Sequence, residues 1–465
     1  MKKTKIVCTI GPKTDSVEKL QSLATNGMTI ARINMAHGSP EYHARIMRNI
    51  RHINQNSIFH IGTMLDTLGP EIRTSETEVE LHEEEDFFIG VSKDYKFKKD
   101  QKHTYVDYKQ LVKQVRKKDI INLDDGLIGL EVTKVKKEFV KCKVLNHGIL
   151  GRRKSVNISG IKRDLPAITK QDIQDIKRGA KIGIDFVAQS FVREAKDVVK
   201  MRKLLHKNRS KAMIIAKIED EHGVDNIDEI IEQADGIMVA RGDLGVQMPF
   251  EQIPIIQKQI VDKCIKVGKP VIIATQLLES MIINPRPTRA EVTDIANAVI
   301  QKADCIMLSA ETTKGHYPIR CVQAMNRIAT RVESKSDTNI PYYGIKTRNI
   351  KEALTLTACI NAEKLDAKAI IVFSKTGKLL SLVAKQRPDQ NIFVFTDNEK
   401  IRKRMVIFRG VTPFKIEFKK NFESMVTNAV KMLKKYKFLS KGDRVVVISD
   451  VKPLRKVDIL EIREV

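Results

Sequence analysis

Eight short apolar runs recur along the chain, most of them followed by a helix-like segment, and seven of the eight end in polar or charged residues. Short apolar runs bounded by charge suit parallel strands covered on both faces, and eight of them alternating with helices predict a (β/α)8 barrel. Two further observations divide the chain. From Glu71 to Leu165 the pattern changes to short alternating strands, and beyond Tyr343 a second strand–helix alternation begins. The expected architecture is α/β: a TIM-type barrel (residues 1–70 and 166–342), an inserted small β-barrel lid domain (71–165) and a C-terminal open α/β domain (343–465).

In order, the barrel strands are expected from Lys5 to Ile10, Thr29 to Asn34, Ile61 to Asp66, Phe186 to Phe191, Met213 to Ile218, Gly236 to Ala240, Val271 to Thr275 and Cys305 to Ser309. Helical periodicity fills Asp15 to Asn26, Val224 to Gln233, Pro254 to Val267 and Arg289 to Gln301. In the insertion, strands are expected at Glu76 to Leu81, Phe87 to Val91, Leu127 to Lys134 and Phe139 to Val144. Asp125-Gly126 and His147-Gly148 read as turns. Pro70 and Pro166 flank the insertion, which on a barrel rim is placed to act as a lid. The last unit combines a helix from Ile350 to Lys364 with strands at Ala369 to Ser374, Asn391 to Phe395 and Arg444 to Ser449. Helices from Lys378 to Gln386 and from Phe422 to Tyr436 separate them. Its turn Ser374-Lys375-Thr376-Gly377-Lys378 joins a strand to a helix N-terminus, a geometry suited to phosphate.

Composition narrows the functional classes. Lys plus Arg number 83 against 57 Asp plus Glu, a net charge of +26. The excess is spread along the chain, with enrichment around Arg402 to Arg409 and Lys431 to Lys437, so a Lys-rich surface is favoured over a dedicated nucleic-acid site. The absence of Trp weakens any base-stacking proposal. Six scattered cysteines form no CxxC pair or metal spacing, and Cys8 and Cys305 read as inert core thiols. No apolar run is long enough to span a membrane, and Gly and Pro break the N-terminal run before a signal core forms. A soluble cytoplasmic protein is expected.

The chemistry concentrates at the strand ends. Lys217 and Glu219 are two apart, so they share a face at one strand terminus. Arg241, Gly242 and Asp243 close the next strand, and Gly242 and Gly245 admit close backbone approach to a ligand. Two carboxylates beside a lysine at neighbouring strand ends suit a divalent ion together with an anionic substrate; a pair of solvated surface turns is the plain alternative for either one alone. Arg32 and Asn34, Asp66 and Thr67, Ser190, Thr275, and Ser309 with Glu311 complete the same rim, where such barrels carry their active sites.

The stretches TKIVCTIGP at Thr4, ARINMAHG at Ala31, LDTLGPEIRT at Leu65, IIAKIED at Ile214, MVARGDLG at Met238, IIATQLLESM at Ile272, PRPTRAEVTDIANAV at Pro285 and IMLSAETTKGHYP at Ile306 resemble, in this order, the pyruvate kinase family. The resemblance implies phosphoryl transfer from phosphoenolpyruvate to ADP in glycolysis, by an enzyme usually assembled as a homotetramer. It implies that Glu219 and Asp243 hold Mg2+ (or Mn2+), that Lys217 lies against the phosphoryl group, and that Arg32 and Arg73 bind phosphate oxygens. Gly242 and Asp243 amides with Thr275 would receive the substrate carboxylate, and Thr275 would also lie near the carbon that is protonated. Asn34, His37 and Arg73 would contact the nucleotide; Asn34, Asp66 and the Thr67 carbonyl would bind K+.

The sequence also departs from the family pattern. Ala36 stands where a serine helps to ligate K+, Leu68 replaces a lysine, Ser75 a glycine, and Gln171 a lysine associated with nucleotide phosphate. Leu379 replaces a hydroxyl of the effector loop, and Ser449-Asp450-Val451 replaces its glycine-rich partner turn. The metal and phosphoenolpyruvate groups remain. An active enzyme with altered cation and effector response is the leading expectation; a catalytically impaired paralogue with a regulatory or RNA-binding role is the alternative.

Overall fold

A computed structural model describes residues 2–57, 60–158, 165–335, 347–418, 421–451 and 459–465. The expected boundary at 342/343 lies outside the described residues. Eight parallel strands close into a barrel: β1 (Lys5–Thr9), β2 (Met28–Asn34), β3 (Gly62–Asp66), β4 (Phe186–Gln189), β5 (Met213–Ile218), β6 (Gly236–Ala240), β7 (Val271–Ala274) and β8 (Cys305–Leu308), with β8 pairing back onto β1. Period-two alternation sorts their side chains. Ile6, Cys8, Ile214 and Ile237 pack outward against the helices, while Val7, Ile30, Met64, Ile215 and Met238 point inward. The inner layer runs on into the C-terminal domain through Val406, Ile407 and Phe408.

Helix starts follow local capping chemistry. Thr169 and Thr288 each form a reciprocal capping box, with Asp172 and Glu291 respectively, and Ser16 and Ser39 cap the first two helices. The segment expected as one helix from Val224 to Gln233 is instead two, Glu221–Asp225 and Ile227–Gln233. Asp220 caps the first by accepting the Gly223 amide, and at the junction Asn226 donates to the Arg193 carbonyl at 2.9 Å. Four expected barrel strands also end early; for two of them the reason is that Phe191 (φ 50°) and Thr275 (φ 69°) have left the β region and form rim turns.

The insertion folds as a curled six-stranded sheet, mostly antiparallel, beside a two-stranded ribbon of Val79–Leu81 and Gly148–Leu150, around its own core of Phe87, Ile89, Leu130 and Val140. Gly148 begins a strand, so the turn expected at His147-Gly148 falls slightly earlier. The lid meets the barrel through Gln247, whose amide donates to Asn157 at 2.8 Å, and through Asn122, which donates to the Val246 carbonyl.

The last domain is a five-stranded sheet in the order Val411–Lys415, Asn391–Thr396, Ala369–Phe373, Arg444–Ser449, Ile459–Glu464, parallel except for the final strand. Both edge strands escaped the sequence reading for physical reasons. Pro413 sits inside one, tolerated because it is an edge, and the other alternates charge with apolar residues. Arg387 ties this domain to the barrel, donating two bonds to buried Asp304 at 2.7 and 2.6 Å.

Candidate active site

Strand register places the rim residues side by side. Asn34 lies opposite Asp66 across β2 and β3, and Lys217 lies opposite Met238 across β5 and β6, so Glu219 and Arg241 follow at neighbouring strand ends. At the centre is Lys217. Its ammonium stands 2.9 Å from Glu219, 3.2 Å from Asp66 and 2.8 Å from the Ser190 hydroxyl, with the side chain nearly buried. Burial alone would lower its pKa, but Asp66 and Glu219 outweigh that and hold it above the usual lysine value, which favours the charged form.

Asp66 is the counterweight. Its other oxygen accepts from Arg32 Nε at 2.5 Å, and Arg32 Nη1 donates to Thr9 Oγ1 at 2.8 Å. Burial would raise the Asp66 pKa; Arg32 and Lys217 overcome it and keep it low. Ser190, whose hydroxyl also donates to the Thr67 carbonyl at 2.7 Å, pins Lys217 to the loop after β3. The ion pair of Lys217 with Glu219 and the sharing of Asp66 between two cations make a single charge network.

Glu219 also accepts the Phe191 amide at 2.6 Å. Asp243, third residue of the helix Arg241–Gln247, is different: its carboxylate has no hydrogen-bond or ion-pair partner among the described residues. Burial first, then the neighbouring Glu219, pushes its pKa up to about 7. A divalent cation shared by these two hard oxygen donors would reverse that penalty, so the donor set fits Mg2+ or Mn2+.

Thr275 and Gln276 are both held at positive φ, a strained state for a β-branched residue. Arg241 maintains it, donating to the Thr275 carbonyl at 2.7 Å and the Gln276 carbonyl at 3.3 Å while paired with Asp294 at 2.7 Å. The Thr275 hydroxyl accepts the Gly242 amide at 2.8 Å and donates to the Ala274 carbonyl at 2.6 Å. A Cβ on Gly242 would lie 3.3 Å from that hydroxyl, a tight contact that the Thr275 side chain would have to yield to; Gly245 has open space around it instead. Gly242, Asp243 and Thr275 line one cavity of about 250 Å³ with Asp125 of the lid.

Arg32, Asn34 and His37 line a second cavity of about 460 Å³ that adjoins the first at Ser309 and Ala310. Arg73 does not line it. It is paired with Glu71 and donates to the Arg153 carbonyl, at the root of the lid. The candidate K+ donors are together but engaged: Asn34 Oδ1 accepts the Ala36 amide at 3.1 Å, Thr67 accepts Ser190, and both Asp66 oxygens face cations.

Two residues make contacts that the sequence did not suggest, and a third departs from the family's use of its position. Asp172 accepts the Leu68 amide at 2.9 Å and the Gly69 amide at 3.4 Å, fixing the loop from β3 into the lid; its capping-box spacing from Thr169 was the available signal. Glu311 accepts the Leu278 and Ser309 amides, tying the β7 and β8 loops. Gln171, in the place of a family lysine, turns to Asp175 at 3.1 Å and away from the rim.

Comparison with known proteins agrees with this geometry. The family model described as pyruvate kinase, barrel domain, matches residues 1–322, and that described as pyruvate kinase, alpha/beta domain, matches residues 352–462. The chain is 42% identical over 463 residues to a pyruvate kinase of Dictyostelium discoideum, covering 97% of this chain and 91% of the relative. It is 43% identical to that of Geobacillus stearothermophilus, covering 97% and 78%. The crystal structure of a pyruvate kinase from Cryptosporidium parvum superposes with a TM-score of 0.93 at 36% identity, covering 100% of this chain and 96% of that one. With both domains matched and the rim motifs gathered at one barrel mouth, the chain belongs to the pyruvate kinase family.

Proposed function

We propose that this chain transfers the phosphoryl group of phosphoenolpyruvate to ADP, giving pyruvate and ATP, with the chemistry centred on Lys217. The observation that carries this reading is a buried Lys217 ammonium held between Glu219 and Asp66, beside an Asp243 carboxylate that has no hydrogen-bond or ion-pair partner among the described residues. Phosphoryl transfer requires fixed positive charge around the moving group more than covalent participation. Lys217 and Arg32 are two such charges, both locked by Asp66. Glu219 and Asp243 would hold Mg2+ or Mn2+, which when bound supplies charge neutralisation at phosphate and enolate oxygens.

The chain's own groups divide the remaining work. Gly242 and Asp243 sit in the first turn of a helix, where amides lack intrahelical acceptors; the Asp243 amide favours a substrate carboxylate there, and the Gly242 amide, which donates to the Thr275 hydroxyl, would have to be shared with it. Thr275, held at the same rim by Arg241, is positioned to relay a proton to the enolate carbon through its hydroxyl. Asn34 and His37 line the cavity assigned to the nucleotide, and Arg73 is assigned to the same ligand from its place at the root of the lid. Asn34, Asp66 and the Thr67 carbonyl fit K+ only through their remaining lone pairs, because Arg32 and Lys217 already balance Asp66. The reading takes the four units as residues 1–70, 71–165, 166–342 and 343–465, and the protein as a cytoplasmic homotetramer, which sedimentation would test. No helix among the described residues is long and apolar enough to cross a membrane. The test of function is pyruvate formation from phosphoenolpyruvate and ADP with Mg2+ present and K+ varied. Turnover is expected; its absence under all cation conditions would favour the impaired paralogue.

A further inference from the structure

The lid carries a second constellation that the phosphotransfer reaction does not use. In the two-stranded ribbon, Leu81 pairs with Gly148 and Glu80 with Ile149. One step beyond the last pair, His82 faces His147. Because side chains alternate along a strand, Glu80 shares the face of His82, and the diagonal brings it to His147 as well. The contacts follow that logic. His82 Nδ1 and His147 Nδ1 are 3.2 Å apart, the rings stack with centroids 5.1 Å apart, and Glu80 lies 3.9 Å from His147 Nε2. One ligand atom from each residue lies within 4.8 Å of the others.

From this geometry we infer that Glu80, His82 and His147 form a binding site for a zinc-class transition-metal ion on the outer ribbon of the lid. Two imidazole nitrogens and one carboxylate are a ligand set of the kind zinc takes with water in the fourth position. With Zn–N bonds of about 2.0–2.1 Å, the 3.2 Å between the two Nδ1 atoms subtends about 100° at the metal, close to the tetrahedral angle, and Glu80, which stands nearer the Nε2 edge of His147, turns toward that point to complete the set. All three side chains are exposed, so the rings can turn out of their 28° stack to aim their lone pairs at one point. Bound there, the ion links the strand entering the lid sheet to one leaving it, two segments far apart in sequence.

The site is chemically separable from the rim. Mg2+ strongly prefers oxygen and binds imidazole poorly, so excess Mg2+ occupies Glu219 and Asp243 without competing at the histidines. All six cysteines are buried and offer no accessible thiolate. Two neutral imidazoles sharing one N–H are the simpler account of the 3.2 Å contact, and metal binding distinguishes the two.

The experiment titrates the full-length chain with Zn2+ in excess Mg2+ by calorimetry. One Zn2+ per chain is expected at the lid, weakened at least tenfold by His82→Ala or His147→Ala and by a smaller factor by Glu80→Gln. Backbone amide exchange at Leu81 and Leu150 should slow on adding Zn2+ in the wild type and not in His82→Ala. In Zn2+-free buffer these variants should turn over phosphoenolpyruvate like the wild type. Unchanged Zn2+ stoichiometry and affinity in the doubly substituted His82→Ala, His147→Ala protein would overturn the assignment.

Discussion

Ser190→Ala separates positioning of Lys217 from its charge. The hydroxyl accepts from the Lys217 ammonium at 2.8 Å and donates to the Thr67 carbonyl at 2.7 Å. Both bonds are buried, and one involves a charge; such bonds contribute about 1.5–3 kcal/mol when charged and about 1 kcal/mol when neutral. Lys217 nevertheless keeps Glu219 at 2.9 Å and Asp66 at 3.2 Å, so it stays protonated and within the site. What is lost is its fixed direction toward the transferring group. We therefore expect kcat to fall by about ten- to thirtyfold, equivalent to about 1.4–2 kcal/mol of transition-state stabilisation, with KM for phosphoenolpyruvate little changed. Lys217→Met, which removes the charge, should cost far more. Steady-state kinetics of both variants at saturating Mg2+ and K+ is the assay. Wild-type kcat in Ser190→Ala, or a loss as large as that of Lys217→Met, would refute the positioning argument.

Other expectations follow from the same contacts. Arg387→Ala leaves Asp304 buried with its bidentate partner gone, so thermal unfolding should show a loss of about 3–5 kcal/mol, with turnover near wild type well below the transition. Ala36→Ser should lower the K+ concentration for half-activation without greatly changing maximal turnover, because a hydroxyl adds one fixed oxygen beside Asn34; equal K+ dependence in both proteins would remove Ala36 from the account. RNA binding at about 0.15 M salt should be weak and fall steeply with added salt, as expected for a diffuse basic surface; a tight, sequence-selective complex would show otherwise.

How far the sequence revealed this arrangement depends on the range of the forces involved. Barrel strands announce themselves because a strand buried on both faces must be apolar throughout, and their polar termini mark the rim. Lys217 and Glu219 were therefore readable as neighbours from their spacing alone. The partner set of Lys217 was not, since Asp66 and Ser190 come from other strands and only barrel closure brings them together. Backbone strain was equally hidden: nothing local marks Thr275 and Gln276 for positive φ, which Arg241 imposes from the next strand end. The edge strands at Val411–Lys415 and Ile459–Glu464 lack the apolar continuity of central strands, because one side of each edge is unpaired. Arg387 and Asp304, joined across two domains, carry no mutual signal in the chain.

On the reading proposed above, Asp243 and Glu219 hold the divalent ion through which this rim works on phosphoenolpyruvate. Its most direct measurement is kcat of Asp243→Asn and Glu219→Gln for pyruvate formation, alongside Mn2+ affinity and thermal stability of the same proteins. Asp243 has no hydrogen-bond or ion-pair partner among the described residues, so Asp243→Asn should fold at least as stably as the metal-free wild type. Both variants should bind Mn2+ much more weakly and lose about a hundredfold or more in kcat. Near-wild-type kcat and Mn2+ binding in both, with the fold intact, would contradict the account.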